Sequence, residues 1–154
     1  MSIEYSIIES VYQTLISDSS LNKFVTPKKD IYKGIPTNEQ NVSKNSITIE
    51  PDVFKILETN FISKTEAARR FSCDLILLID YTQETKQESL EKFLEFTALI
   101  VNSIDKSTYI LSNTAIKKVE LVEIEEIVVD KNRLLVRGAG IKYQFTGVYN
   151  TGNL

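Results

Sequence analysis

The longest apolar run of the chain, Phe71 to Tyr81, has an alternation that predicts a strand in the middle of a sheet. Its even positions are polar at both ends and apolar only at Ile76 and Leu78. Because successive side chains of a strand point to opposite faces, one face should be covered completely and the other only in part. A helix is the natural cover for the first face. That face carries the odd positions: Phe71, Cys73, Leu75, Leu77, Ile79 and Tyr81.

Two other segments have the apolar spacing of amphipathic helices. Apolar residues recur every three or four positions after Ser2, a suitable N-cap, so we expect a helix from about Ile3 to Ser17. A second helix is expected from roughly Lys86 to Asp105, where Thr85 and Glu88 have the spacing of a capping box. Both helices should pack on one side of the sheet.

Three more strands are expected. Ser46 to Glu50 alternates and is followed by Pro51, which is typical of an edge strand or a strand end. In 115–129 the apolar phase changes after Leu121, which indicates a bulge or a change of covered face. In 134–145 the phase changes at Gly138-Ala139-Gly140, and glycine at such a change predicts another bulge. Residues 130–133 between them have the composition of a hairpin turn.

The remaining segments lack a clear period. Residues 21–45 read as a long loop anchored by a few apolar side chains, either a binding segment or a surface excursion. Residues 51–70 fit a helical stripe as well as a strand, and we prefer an extended arm that turns near 63–66. The tail, 149–154, should be disordered or ordered only by a partner. The 154 residues therefore predict one α+β domain with a mixed or antiparallel four-stranded sheet, two main helices on one side, and an extended loop and arm.

Composition narrows the functional classes. The net charge of −3 argues against nonspecific nucleic-acid binding as the main activity, although a local basic patch remains compatible with it. The absence of histidine excludes His-based triads, His-ligated zinc and His general bases within this chain. The single cysteine, Cys73, should be a small buried hydrophobe. No apolar run approaches the roughly 20 residues that span a bilayer, and no signal peptide is evident, so we expect synthesis in the cytoplasm and no membrane partner.

The candidate chemical motifs are weak. The acidic run Glu120 to Asp130 can be read as a cation site, but Glu125 and Glu126 should point to opposite faces, so a solvated strand edge is the better interpretation. Pro51-Asp52 followed by Glu84-Thr85-Lys86 superficially matches a metal-dependent nuclease, yet the acid and lysine fall at a helix cap rather than on a strand. We therefore expect no catalytic, cofactor-binding or metal-binding residues, and no enzyme.

Basic pairs and aromatic residues offer a further possibility. Arg69-Arg70, Lys117-Lys118 and Lys28-Lys29 are ordinary surface charge in a monomer, but several copies arranged in a ring would create a positive lumen or a docking collar. The aromatic residues at alternate strand positions are more typical of core than of base stacking. They are Tyr32, Tyr143, Phe145 and Tyr149.

Taken together, the order of these segments resembles the tail terminator, or tail completion, proteins of long-tailed bacteriophages and related phage-tail-like particles. The resemblance rests on the N-terminal helix, the central strand, the long second helix and three short segments. These segments are Tyr32-Lys33-Gly34-Ile35-Pro36, Ser46-Ile47-Thr48-Ile49-Glu50-Pro51 and Ile141-Lys142-Tyr143-Gln144-Phe145.

The resemblance implies a structural virion protein. Such a protein forms a homo-oligomeric ring, typically hexameric, at the head-proximal end of the tail. There it contacts the tail tube protein, stops tube polymerisation and presents a surface to the head–tail connector protein, while DNA passes nonspecifically through the lumen. The alternatives are another head–tail connector or completion protein, and a monomeric cytoplasmic binding module. The expected interface residues are Tyr32, Ile35, Lys55, Arg69, Arg70, Lys117, Arg137 and Tyr149.

Overall fold

The computed structural model describes residues 2–35, 45–83, 86–131 and 134–153. Two long helices pack against a five-stranded mixed sheet, which confirms the α+β class. The sheet has one more strand than expected. In chain order the elements are α1 (Ile3–Ser17), a 3₁₀ helix (Ser19–Lys23), β1 (Ile31–Lys33), β2 (Ser46–Phe61), β3 (Ala67–Gln83), α2 (Lys86–Asp105), α3 (Thr108–Ser112), β4 (Ile116–Lys131), β5 (Leu134–Asn150) and a second 3₁₀ helix (Thr151–Asn153).

The strand order is β1-β2-β3-β5-β4, so the apolar run of β3 lies in the middle of the sheet, as predicted. β1 is parallel to β2, and all other neighbours are antiparallel. β1 is so short that it covers only the beginning of β2, where Lys33 lies opposite Ile49. The outer edge of β2 beyond that point and the outer edge of β4 are therefore the two margins of the sheet.

The core lies between the helices and the odd-numbered face of β3, here called the helix face. Every odd position from Phe71 to Tyr81 is at most 1% exposed. Tyr143, opposite Leu75 in the register, donates from its hydroxyl to Asp105 Oδ1 of α2 over 3.2 Å, which places α2 on this face. Burial of each large apolar side chain stabilises the fold by roughly 1.5–3 kcal/mol before entropy is counted. On the opposite, open face Leu78 and Asp80 are exposed.

The helix predictions match the described boundaries. The hydroxyl of Ser2 accepts a hydrogen bond from Tyr5 N over 3.1 Å, which satisfies one free donor at the start of α1. α2 contributes Phe93, Phe96, Ile100 and Ile104 to the core, whereas Leu90 and Leu94, which the apolar spacing also predicts to face inward, are 48% and 43% exposed. Thr85, the N-cap residue of the expected capping box, lies outside the described residues. No helix of the described residues is long and apolar enough to cross a membrane.

Pro51 does not end its strand, contrary to the prediction. β2 continues to Phe61, with a register shift between Pro51 and Phe54. The oxygen of Ile49 accepts from Gly34 N over 2.9 Å, so the backbone groups of Ile49 point to the outer edge of β2. Those of Pro51, two residues later, point the same way and lie beyond the last pair with β1. A missing N–H costs nothing at such an edge position.

Of the two predicted bulges, one is confirmed and one is wrong. A register shift does occur between Leu121 and Glu123. The pairing of β5 is regular through Gly138, Ala139 and Gly140, which face Asp80, Ile79 and Leu78 of β3 in turn. The two glycines occupy successive positions on the open face, where no helix imposes a strict apolar pattern. A change of apolar phase there requires no extra residue.

Two segments expected to be irregular contain regular structure. The predicted loop 21–45 includes part of the first 3₁₀ helix and all of β1, and its residues 36–44 lie outside the described residues. The predicted tail is held by its own chain. β5 runs to Asn150, Tyr149 pairs with Arg69, and the hydroxyl of Thr151 accepts from Ala67 N over 3.0 Å. The residues 132 and 133 of the predicted hairpin turn lie outside the described part.

Candidate assembly surfaces

The arm, residues 51–70, is the end of the β2–β3 hairpin. The segment is extended rather than helical, as we expect from the sequence. Ile62 N donates to Glu66 O over 3.0 Å, and Ser63 Oγ accepts from Glu66 N over 3.1 Å, so the hairpin turns where the sequence predicted. Phe54 stacks on Phe71 with ring centroids 5.7 Å apart, which fastens the arm to the core at one point.

On both sides of Phe54 the arm carries apolar side chains that the helices do not cover. Phe61 is the extreme case, with 81% of its surface exposed. Exposed apolar groups that cluster in this way are typical of protein–protein contact sites. The exposed apolar residues of the arm are Val53, Ile56, Leu57, Phe61 and Ile62.

The arm also has basic charge without internal partners. Lys55, Lys64 and Arg69 make no ion pair with another described residue, while Arg70 Nη2 lies 3.7 Å from Glu58 Oε2. The other acidic residue near its base, Asp52, is already bound elsewhere. Its Oδ2 accepts from Lys142 Nζ over 3.1 Å, a bond that raises the pKa of Lys142.

Lys142 lies at the centre of a polar cluster on the open face. Its Nζ is 3.8 Å from Asp74 Oδ2 in addition to its contact with Asp52, and Gln144 Nε2 donates to Asp74 Oδ1 over 3.3 Å. These contacts link β2, β3 and β5 at the base of the arm. Asp52, the aspartate of the nuclease-like pattern, thus has an ion-pair role, and Glu84 of that pattern lies outside the described residues.

The second surface is the outer margin of β4, called the β4 edge and defined as residues 120–128. Glu125 and Glu126 make no ion pair with another described residue. Among the described residues, no group of three His, Cys, Asp or Glu side chains is placed to hold a metal ion. Apolar residues interrupt the acidic ones and are between 38% and 54% exposed: Leu121, Val122, Ile124, Ile127 and Val128.

The expected interface residues fall into separate groups. Lys55, Arg69, Arg70 and Tyr149 lie together on or beside the arm, and the Tyr149 ring is 5.8 Å from that of Phe71. Lys117 is exposed at the start of β4 and lines the same cleft as Tyr149.

Tyr32 and Ile35 lie in β1 and just after it, on the same side of the sheet as the outer edge of β2. Tyr32 is half-buried, whereas Ile35 is exposed and its backbone N donates to the Glu50 carboxylate. Arg137 is half-buried, at the far end of the sheet opposite Tyr81. The eight residues therefore do not form one surface. The apolar residues of the β4 edge were missed, although Val122 and Ile124 within an acidic stretch were a visible signal.

A set of contacts fastens β1 to α1. Lys33 Nζ lies 2.8 Å from Glu9 Oε2 and 3.2 Å from the hydroxyl of Tyr5, and it sits 4.8 Å from the centre of the Tyr12 ring. The Glu9 contact raises the pKa of Lys33. Hydrogen bonds from Gln13 and then Lys33 hold the pKa of Glu9 below its ordinary value. These charges therefore stabilise the packing of β1 against α1.

The buried ionisable groups have structural roles. Burial raises the pKa of the Cys73 thiol to about 12, so this thiol is protonated and unreactive at neutral pH. Burial, reinforced by Asp105, also raises the pKa of Tyr143. A cleft of about 700 Å³ between α1 and the α2–α3 region is lined mainly by hydroxyl and amide side chains, including Thr14, Asn102 and Ser103. Asp18 and Lys106 also line this cleft.

No protein-family model matches the chain, and no curated protein matches its sequence. Among solved structures, it is similar to a chain from the virion of a native gene transfer agent (GTA) particle. The two share 11% sequence identity with a TM-score of 0.46, and the match covers 91% of this chain and 94% of that chain.

Proposed function

We propose that this chain is a non-enzymatic structural protein of a phage-like particle, and specifically a tail terminator. In this role it closes the head-proximal end of the tail tube as a ring of identical subunits, with six expected from the family resemblance. The observation that carries the proposal is the pair of exposed apolar surfaces, the arm and the β4 edge, at opposite margins of one sheet.

The geometry favours assembly over chemistry for a physical reason. An exposed strand edge with apolar side chains is a template for pairing with another chain, and monomeric proteins usually avoid it. Here two such edges are present and neither is shortened, capped by a helix or covered among the described residues. The glutamates of the β4 edge and the register shifts in β2 and β4 discourage indiscriminate pairing, so these edges suit a partner of complementary charge.

A ring also needs a particular arrangement of surfaces. Rings are built from heterologous contacts, in which two different patches of each subunit meet, and the patches must lie on different sides of the molecule. The arm and the β4 edge meet this requirement because β2 and β4 are separated by two strands. This separation lets each subunit contact two neighbours at once.

The remaining partners follow from the same proposal. A terminator contacts the tail tube protein on one side and the head–tail connector protein on the other, and DNA passes through its lumen without sequence recognition. We place one of these contacts on the β1 margin around Tyr32 and Ile35, since Ile35 is 66% exposed and lies away from the arm tip.

Immunogold electron microscopy of particles from the producing cells tests this function. Label at the head-proximal end of complete particles is expected, and it should remain on headless tails made when head assembly is blocked. If the label is found on isolated heads instead, the protein is a connector bound to the head. Protein found only in the soluble fraction, with unlabelled particles, would contradict the proposal and favour a monomeric binding module.

A further inference from the structure

We propose that the β4 edge of one copy pairs in antiparallel fashion with the arm of a second copy, so that the sheet continues from one subunit into the next. The inference deepens the proposed function and rests on it for the identity of the partner, a second copy of this chain. It assigns the contact to two named strand segments.

Strand direction supports the pairing. β2 is antiparallel to β3, β3 to β5, and β5 to β4, so β4 runs opposite to β2. A second copy in the same orientation presents its β2 to β4 of the first as an antiparallel strand. Within one copy Lys55 is level with Lys118 and Glu125 with Thr48, so the second copy must also be displaced along the strands to bring the arm against the β4 edge. Antiparallel edges join by direct main-chain hydrogen bonds, which is the basis of strand addition in protein recognition.

The free part of β2 is the part that belongs to the arm. β1 pairs with β2 only from Ile47 to Ile49, and β2 continues beyond it to Phe61. No described strand pairs with the outward backbone groups of this extension or with those along the outer margin of β4, and we assign both to a neighbour. Exposed apolar side chains line both segments, so pairing would remove apolar surface from water on both partners.

The charges of the two segments favour contact between the β4 edge and the arm. The β4 edge carries four glutamates and no basic residue, whereas the arm carries four basic residues against Glu58, Glu66 and the already paired Asp52. Opposite charges across an interface favour the matched pair of surfaces and penalise edge-to-edge contact between like surfaces. Two β4 edges, with only acidic charges, would repel each other.

The charges also match face by face. Lys55 lies opposite Ser72, on the open face, and Glu125 lies on that face as well, opposite Gly140. Glu126 lies opposite Ala139 on the helix face, where Arg69 occupies an odd position of β3. In a continuous sheet each face continues into the same face of the neighbour, so a register that sets Lys55 against Glu125 places both charges on the open face. Arg69 lies one strand behind the edge, level with Thr59, and adds positive charge to the helix face without pairing directly with Glu126.

Reciprocal charge reversal tests the pairing in the full-length protein. One variant combines Glu125→Lys with Glu126→Lys, and the other combines Lys55→Glu with Arg69→Glu. Each variant alone should weaken self-association by about tenfold or more in sedimentation velocity, because like charges then face each other. An equimolar mixture of the two variants, and a chain carrying all four changes, should recover association.

The control is a charge reversal on an exposed helix surface, Glu91→Lys with Lys106→Glu, which should leave association unchanged. Circular dichroism and thermal unfolding verify that each variant is folded. A carbodiimide crosslink between Lys55 or Lys64 and Glu125 or Glu126, found between ¹⁴N-labelled and ¹⁵N-labelled copies, would locate the contact directly.

Three results would overturn the inference. They are a wild-type chain that stays monomeric at all concentrations, charge reversals that leave self-association intact, and a mixture that fails to recover it. If the reversals spare self-association but remove the chain from tails, the two edges contact the tube instead. Immunogold labelling reports on the proposed function separately, since a terminator with another subunit interface would still label the tail end.

Discussion

The helix face of β3 and the outer edge of β4 carry similar apolar side chains in opposite environments. The six odd positions of β3 are at most 1% exposed, whereas five apolar residues of the β4 edge are between 38% and 54% exposed. Both segments are long strands of the same sheet. Apolar content therefore does not distinguish a buried strand from an exposed strand in this protein. Whether a helix lies above the strand does.

The largest effect should separate the core from the arm. We expect Leu77→Ala to lower the free energy of unfolding by about 2–5 kcal/mol, because it leaves a cavity under the helices. Leu57→Ala, at an exposed arm position, should change it by no more than about 0.5 kcal/mol. Urea unfolding of the isolated chain measures both. Equal losses would mean that the arm belongs to the core.

Two glycines of β5 give a second, smaller contrast. A Cβ at Gly147 would lie 1.7 Å from the backbone oxygen of Ala115, so Gly147→Ala should cost about 1–3 kcal/mol or more through displacement of the β4 start. At Gly140, on the open face, the nearest atom would be Ile76 Cγ2 at an ordinary 3.6 Å.

Gly140→Ala is the matched control, and it should be neutral or stabilise the strand by about 0.5–1 kcal/mol. Thermal unfolding of both variants checks the difference. A destabilised Gly140→Ala chain with an unaffected Gly147→Ala chain would reverse the assignment of crowded and open positions.

The stability of the fold should depend on pH through the ion pair that attaches β1 to α1. The pKa of Glu9 is lowered in the fold from its ordinary 4.5, so the unfolded chain binds more protons near that pH. The Glu9 contribution is therefore present above pH 4.5 and is lost as the pH falls through the lowered pKa. Glu9→Gln should remove about 0.5 kcal/mol or less of stability at pH 7 and nothing at the acid end.

Urea midpoints of the wild type and Glu9→Gln at neutral and acidic pH measure this difference. A difference that persists unchanged into acid would show that the Glu9 carboxylate charge is irrelevant to the contact. The exposed acid Glu125 provides the control, because Glu125→Gln in the monomer should leave both midpoints unchanged.

The smallest expected effect is an absence of reaction. Cys73 is fully buried and its pKa is raised to about 12, so a thiol reagent should not modify it in the native chain at pH 7. In a Val122→Cys variant, the new thiol on the β4 edge should react at once, and oligomer formation should slow it. Rapid native modification of Cys73 would contradict its place under the helices.

The helices and the central strand could be predicted because their information is local. The stripe of α1, its Ser2 cap and the fully apolar odd positions of Phe71 to Tyr81 each lie within one element, and the structure has them where they were expected. The errors arose where a neighbour decides the outcome. Pro51 remains in β2 because β1 ends before it, and the tail is ordered because β3 pairs with it.

The candidate surfaces were recovered only in part for the same reason. Lys55, Arg69 and Arg70 belong to the arm, but Tyr32 and Arg137 lie elsewhere, and the apolar residues of the β4 edge were not expected. The acidic residues of that segment predicted a solvated strand edge. Whether the apolar residues between them are exposed depends on how far the helices extend across the sheet toward β4.

The sequence by itself determined the two long helices, which strand is central and that histidine-based chemistry is absent, since periodicity and composition act within single elements. Tertiary structure alone decided the strand order and therefore the two margins of the sheet. A strand edge is free or paired according to which strands lie beside it, and those neighbours come from distant parts of the chain. The surfaces available for assembly are properties of that arrangement.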